Sequence, residues 1–204
     1  MKSFSSLAKS VKFTQIGSET RLDEKDADLE FIGRGRSAYV FKIRGTNKVL
    51  KVFFAPFEKI AKEEANIYTI LQGIHYYPNI YEHGPNYLVI DYIAGDTLFN
   101  CLVKGIAVTE AQISEIDYAL DMARARNLNP SDIHLRNILI TKEGRIKIID
   151  VARFRQTKKC KQWDDLKSAF YRLYRRRLFP KKAPEWVLNL IAFLYKKRLI
   201  SALP

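Results

Sequence analysis

The sequence predicts an α+β protein of two lobes with a cleft between them, and the order of its elements carries that expectation. Strand-like segments with a single helix come first, a further apolar strand links them onward, and the rest is mostly helical. With 204 residues the chain fits one large domain or two small lobes. Its 47% hydrophobic and 28% charged residues exclude a disordered, collagen-like or low-complexity protein.

Residues 1–27 read as a polar, loosely held extension. DLEFIGRGRSAYVFKIRGTNKVLKVFF then reads as three antiparallel strands, because Val40, Phe41, Ile43, Val49, Leu50, Val52, Phe53 and Phe54 are strand formers punctuated by Gly33, Gly35 and Gly45. A helix follows: Pro56 lies near its start, Ile60, Glu64, Ile67 and Leu71 share one face, and Gly73 follows its end. YLVIDYI, residues 87–93, is the next apolar strand. Thr109 with Gln112 makes a capping-box pattern before a helix over about 110–127, whose stripe is Ile113, Ile116, Ala119, Leu120 and Ala123. Residues 138–140 and 146–149 form a hairpin turning at Gly144, and two helices, about 162–178 and 184–199, are separated by Pro180 and Pro184.

No stretch approaches the ~18 apolar residues of a membrane span. The segment MKSFSSLAKSVKF, interrupted by Lys9 and Lys12, never develops the apolar run of a secretory signal, so the expected location is cytoplasmic. Cys101 and Cys160 are too few and too far apart for a disulfide framework or zinc site. The net charge of +13 is uneven: residues 1–152 hold 20 basic against 19 acidic residues, residues 153–204 hold 15 against 3. Runs at Arg175-Arg176-Arg177, Lys181-Lys182 and Lys196-Lys197-Arg198 are read either as a solvated face or as a site for phosphate-rich or acidic partners.

Three constellations carry chemistry. Gly33 and Gly35 lie between two strands, where a turn lacking Cβ atoms lets backbone N–H groups face phosphate; alone they are equally an ordinary turn. Lys51 sits in a strand, and Glu64 falls on the apolar face of the next helix, where a buried acid demands a cation; Glu63 is the neighbouring alternative. Asp132, Asn137 and Asp150 are connected through a hairpin that lets them converge at one end of a small sheet. Two oxygen ligands for Mg2+ and one carboxylate to orient a hydroxyl are what phosphoryl transfer requires.

Jointly these residues resemble the protein-kinase-like superfamily over about residues 28–175. Gly33, Gly35 and Val40 look like its glycine-rich loop, Lys51 like its third-strand lysine and Glu64 like the helix partner. Asp91 and Ile93, in the segment LVIDYIAGD, look like hinge residues offering backbone groups to adenine. Asp132 and Asn137 match the catalytic-loop pair, and Asp150 in IIDVARF matches the metal aspartate. The resemblance implies a small nucleotide-binding lobe over 28–90, with an antiparallel sheet and one helix. A hinge at 91–96 and a truncated helical lobe at 97–204 complete it.

Departures matter too. Ala38 replaces the third glycine, Pro130 and Ser131 stand where His-Arg is usual, and Val151-Ala152 replace Phe-Gly. Only a dozen residues separate Asp150 from the helix at Trp163, which leaves no room for an activation segment. The pattern is most similar to small RIO-like kinases and to the small serine/threonine kinases of Gram-positive bacteria such as Bacillus. His134 is read either as a contact to the transferred phosphate or as a packed loop residue, and Asp164 or Asp165 as a support for the catalytic loop. The resemblance implies an ATP- and Mg2+-dependent phosphotransferase acting on a serine or threonine hydroxyl of a protein or of itself. The alternatives are an RNA- or tRNA-associated ATPase or kinase using residues 153–204, a pseudokinase scaffold and a small-molecule kinase.

Overall fold

The computed structural model describes residues 2–17 and 19–197, so Arg198 of the last basic run and the final residues of the helix expected to reach 199 lie outside the described residues. The chain divides into two compact units, Met1–Ile93 and Ala94–Pro204.

The lead expected to be loosely held is folded. Helix α1 (Phe4–Ser10) is capped by Ser3, whose hydroxyl accepts the Ser6 N–H at 3.2 Å, and strands β1 (Lys12–Ile16) and β2 (Glu19–Glu24) form a hairpin. The physical reason lies in the sheet that follows. Strands β3 (Leu29–Arg34), β4 (Ala38–Ile43), β5 (Lys48–Phe53), β6 (Ile80–His83) and β7 (Tyr87–Asp91) make a five-stranded antiparallel sheet in the order β3-β4-β5-β7-β6. Alternation in β4 and β5 puts Tyr39, Phe41, Leu50 and Val52 on one face, too apolar to leave in water. Leu7, Ala8 and Val11 are buried in one cluster with those four residues, Phe54, Tyr87 and Val89. The Tyr39 hydroxyl ties the cover down by donating to the Thr20 carbonyl at 2.7 Å. Leu7→Ala is therefore expected to cost about 2–5 kcal/mol, as for other buried leucines; an unchanged urea midpoint would return the lead to the status of a loose extension.

Helix α2 (Glu58–Leu71) follows a single 3-10 turn at Ala55–Phe57 containing Pro56, and it buries Ala61, Glu64, Ala65, Ile67, Tyr68 and Leu71. Ile60, expected on that face, lies in the first turn and is exposed.

The second unit has its own three-stranded antiparallel sheet, β10-β9-β8, built from β8 (Gly95–Thr97), β9 (Ile138–Thr141) and β10 (Ile146–Ile148). Glycine is demanded at 95, because a Cβ there would sit 2.4 Å from the Ile140 carbonyl oxygen. Helix α3 (Leu98–Lys104) was not expected from the sequence. Helix α4 (Glu110–Arg124) carries the expected capping box: Thr109 Oγ1 accepts the Gln112 N–H at 3.2 Å and Gln112 Oε1 accepts the Thr109 N–H at 3.0 Å. Helix α5 (Gln162–Ala169) runs into a π-helical turn at Phe170–Tyr174 and is fastened to α4 by the Trp163 indole N–H, which donates to Asp117 at 2.7 Å, and by Lys167 on the same carboxylate. Helix α6 spans Glu185–Lys196. Among the described residues no helix is long and apolar enough to cross a membrane.

Candidate active site

In the first unit, strand pairing sets Gly33 opposite Val40, Val40 opposite Lys51 and Lys51 opposite Leu88. Directly opposed residues of antiparallel strands share a face, so these four form one row across the sheet. A register shift between Phe31 and Gly33 brings the glycine into that row. Lys51 Nζ lies 2.8 Å from both carboxylate oxygens of Glu64, whose side chain is 1% exposed against 13% for the lysine. Of the two acids left open by the sequence, Glu64 pairs with Lys51, because the helix face that carries Ile67 and Leu71 turns it inward.

The turn at Gly35 departs from expectation in one respect. The Gly35 N–H donates to the Ala38 carbonyl at 2.9 Å, so it closes the hairpin instead of facing an anion. Neither Gly33 nor Gly35 has a positive φ, and a Cβ on Gly33 would meet nothing within 4 Å. The chain's own packing does not require glycine at 33; bare backbone there suits the close approach of something outside the chain.

Asp91 is similarly committed. Its carboxylate accepts the Asn79 N–H at 2.8 Å, Asn79 Nδ2 at 3.0 Å and the Tyr81 hydroxyl at 2.6 Å, and its own N–H donates to the Asn79 carbonyl at 3.1 Å. Its N–H, one of the backbone groups that could be offered to adenine, is thus used within the sheet. The hydrogen bond to this carboxylate also holds the Tyr81 phenol above its ordinary pKa. Ile93 lies two residues beyond β7 and is half-buried.

In the second unit, Asp132, Asn137 and Asp150 are brought together through backbone. Asn137 is buried and its Nδ2 donates to the Asp132 carbonyl at 3.1 Å, while the Ile149 N–H donates to the Asn137 carbonyl at 2.9 Å, next to Asp150. Among the described residues the positive-φ non-glycines are Asn127, Asp132 and Asp150, the last two at 62° and 59°. Left-handed backbone at non-glycine residues concentrates where a site over-determines the chain, and aspartate tolerates it better than most. Two of the three are the candidate catalytic and metal aspartates.

Neighbouring groups hold this loop. Asn129 donates twice: its N–H to the Phe154 carbonyl at 2.6 Å and its Nδ2 to the Gln156 carbonyl at 2.6 Å. His134 Nδ1 accepts the Arg136 N–H at 3.3 Å, which favours its reading as a loop-fastening residue. Arg136 stacks 3.5 Å from the Phe99 ring centroid and donates to Asn189 of α6 at 3.0 Å. Asp165 accepts the Tyr195 hydroxyl of α6 at 2.6 Å.

A divalent cation fits the donor chemistry. With Asn137 Nδ2 donating inside the loop, its carbonyl oxygen is the group left for a ligand, and Asp150 adds a carboxylate, a hard all-oxygen set of the kind Mg2+ takes. Among the described residues no group of three or more His, Cys, Asp or Glu could hold a metal; Mg2+ characteristically takes one or two protein oxygens and completes its shell with phosphate and water.

No family model matches the chain. It is 50% identical, over 193 residues covering 94% of this chain and 90% of the relative, to the Bacillus subtilis strain 168 protein named "Putative serine/threonine-protein kinase YrzF". The chain belongs to that small kinase-like family. A Clostridium perfringens strain 13 protein named "Probable serine/threonine-protein kinase CPE1738" is 30% identical over 140 residues, 60% of this chain but 20% of the relative.

In this kinase-like chain one neighbour of the candidate site escaped the sequence reading. Arg153 Nε lies 3.3 Å from Asp132 Oδ2, an ion pair between two half-exposed side chains. It follows Asp150 by three residues, but no sequence pattern links it to residue 132. The buried Phe154 beside it, and the Asn129 bonds, fold residues 150–156 back onto the loop.

Proposed function

We propose that the chain is an ATP- and Mg2+-dependent phosphotransferase that acts on serine or threonine hydroxyls of a protein, without an activation segment. The observation that carries this reading is the buried Lys51–Glu64 pair set in the Gly33–Val40–Lys51–Leu88 row. A lysine held at 2.8 Å by an acid, beside bare backbone, is a pre-oriented cation for phosphate oxygens. Val40, which is half-buried, gives that row apolar surface for a base, and Ile93 supplies backbone near the end of the unit. Asn137 and Asp150 would hold Mg2+, which supplies charge neutralisation on the phosphates and a template for the leaving group. Asp132 accepts or orients the hydroxyl proton while the new O–P bond forms and the bond to the nucleoside diphosphate breaks. Arg153, 3.3 Å from Asp132 Oδ2, orients that carboxylate. Only the short stretch 151–161 lies between Asp150 and α5, which is the ground for reading the chain as lacking an activation segment.

The test is incubation with γ-labelled ATP, with Mg2+ or with excess EDTA, and with or without a generic protein substrate. Label on serine or threonine that disappears with EDTA is the expected result. Binding of nucleotide without any transfer or hydrolysis would favour the pseudokinase reading.

A further inference from the structure

Helix α6 carries twelve residues, Glu-Trp-Val-Leu-Asn-Leu-Ile-Ala-Phe-Leu-Tyr-Lys, and buries none of them. Trp186, Leu190 and Phe193 recur at spacings of four and three, so they line one face; all three are exposed, Trp186 to 68%, and Ile191 is exposed on another side of the helix. The helix is nevertheless fixed to its unit. The Tyr195 hydroxyl donates to Asp165 at 2.6 Å, and burial together with that carboxylate pushes its pKa up to about 12. Asn189 receives Arg136 at 3.0 Å. The apolar face is therefore held outward, not left over from a helix that lost its place.

A second exposed apolar element lies just before it. In the segment Arg175-Arg176-Arg177-Leu178-Phe179-Pro180-Lys181-Lys182, Leu178 is 96% exposed and Phe179 is also exposed, between cations on both sides. Over residues 170–197 there are eight Lys or Arg and one acid, Glu185. Two of these cations have partners within the unit: Arg175 pairs with Glu110 at 2.7 Å, and Lys181 donates to the Tyr174 carbonyl.

The occupant must match both features. A second copy would bring two strongly basic faces together. RNA would match the cations but leave Leu178, Leu190, Ile191 and Phe193 without an apolar partner. An anionic lipid bilayer satisfies both at once: its headgroups meet Lys and Arg, and the boundary of its acyl chains receives Trp, Phe and Leu, as amphipathic interfacial helices do. We propose that α6 and the Leu178–Phe179 loop form a docking surface for an anionic membrane face, on which the protein lies without crossing it. Lys196 and Lys197, at the end of the helix, reach back to the headgroups along their methylene stems.

The experiment is co-sedimentation of the full chain with phosphatidylcholine vesicles, with or without phosphatidylglycerol. Binding is expected only when phosphatidylglycerol is present. The exposed triple substitution Trp186→Ala, Leu190→Ala, Phe193→Ala should lower the partition coefficient at least ~10-fold with circular dichroism and urea midpoint unchanged. Arg176→Gln with Arg177→Gln and Lys182→Gln should weaken it and flatten its salt dependence. Brominated lipid should quench Trp186 while the buried Trp163 stays bright. Vesicle binding untouched by the apolar triple substitution, or no binding to phosphatidylglycerol vesicles, would overturn the proposal. So would a concentration-dependent dimer that the triple substitution abolishes, or a tighter complex with RNA that it leaves intact.

Discussion

Asp132→Asn is expected to leave nucleotide affinity unchanged while lowering turnover by at least ~10²-fold, the usual scale for loss of a positioned general base. Asparagine is chosen because residue 132 has φ 62°, where alanine would add backbone strain and confuse a folding defect with a chemical one. The same logic applies at Asp150, with φ 59°. There Asn should behave differently, weakening Mg2+-dependent nucleotide binding as well as transfer, because the lost charge belongs to the proposed metal ligand. Calorimetry with and without Mg2+, alongside labelling rates, separates the two roles. If Asp132→Asn loses nucleotide binding and Asp150→Asn keeps it, the two assignments are reversed; if both fold and transfer at the normal rate, neither residue is in the site.

The second large effect belongs to the first unit. Glu64→Gln keeps the shape of a 1% exposed side chain but removes the charge that sits 2.8 Å from Lys51 Nζ. Taking one partner from a buried ion pair costs about 3–5 kcal/mol, since the other charge stays in a poorly solvated place. The expected signature is non-additivity: Lys51→Met added to Glu64→Gln should restore part of the stability, because the desolvated ammonium is gone. Turnover should not recover, because the phosphate-facing cation has gone with it. Additive losses in urea unfolding would mean the two groups are not coupled. A Glu63→Gln protein as impaired as Glu64→Gln would shift the partnership to the half-buried neighbour.

Much of this was legible because it is written in short-range pattern. Alternation in AYVFKI and KVLKVF announces β4 and β5, three-and-four spacing turns Glu64 inward with Ile67, and Thr109 with Gln112 marks the start of α4. The lead was missed for a local reason: α1 has seven residues, and the strands KFTQI and ETRLDE are mostly polar, with Phe13 and Leu22 alone packed on the aromatic cluster. Strand β8 has three residues, too few for any period to show. The Arg153–Asp132 pair, the left-handed backbone at 132 and 150, and the use of the Asp91 amide inside the sheet depend on how separate segments meet. A single sequence carries no local trace of such meetings.

The placement of α1 against Tyr87 and Val89 also governs the order in which the chain can assemble. Leu7 is made about 80 residues before β7, an interval of about 4–16 s at ordinary rates of synthesis. Throughout that interval Phe4, Leu7 and Phe13 have no complete surface to settle on, because the strands that form it are still inside or not yet made. The five-stranded sheet and its cover are therefore complete only once β7 is available to pair with β5. A ribosome paused before residue 91 would hold out a sticky aromatic segment, the point in the life of this protein at which a chaperone has most to protect.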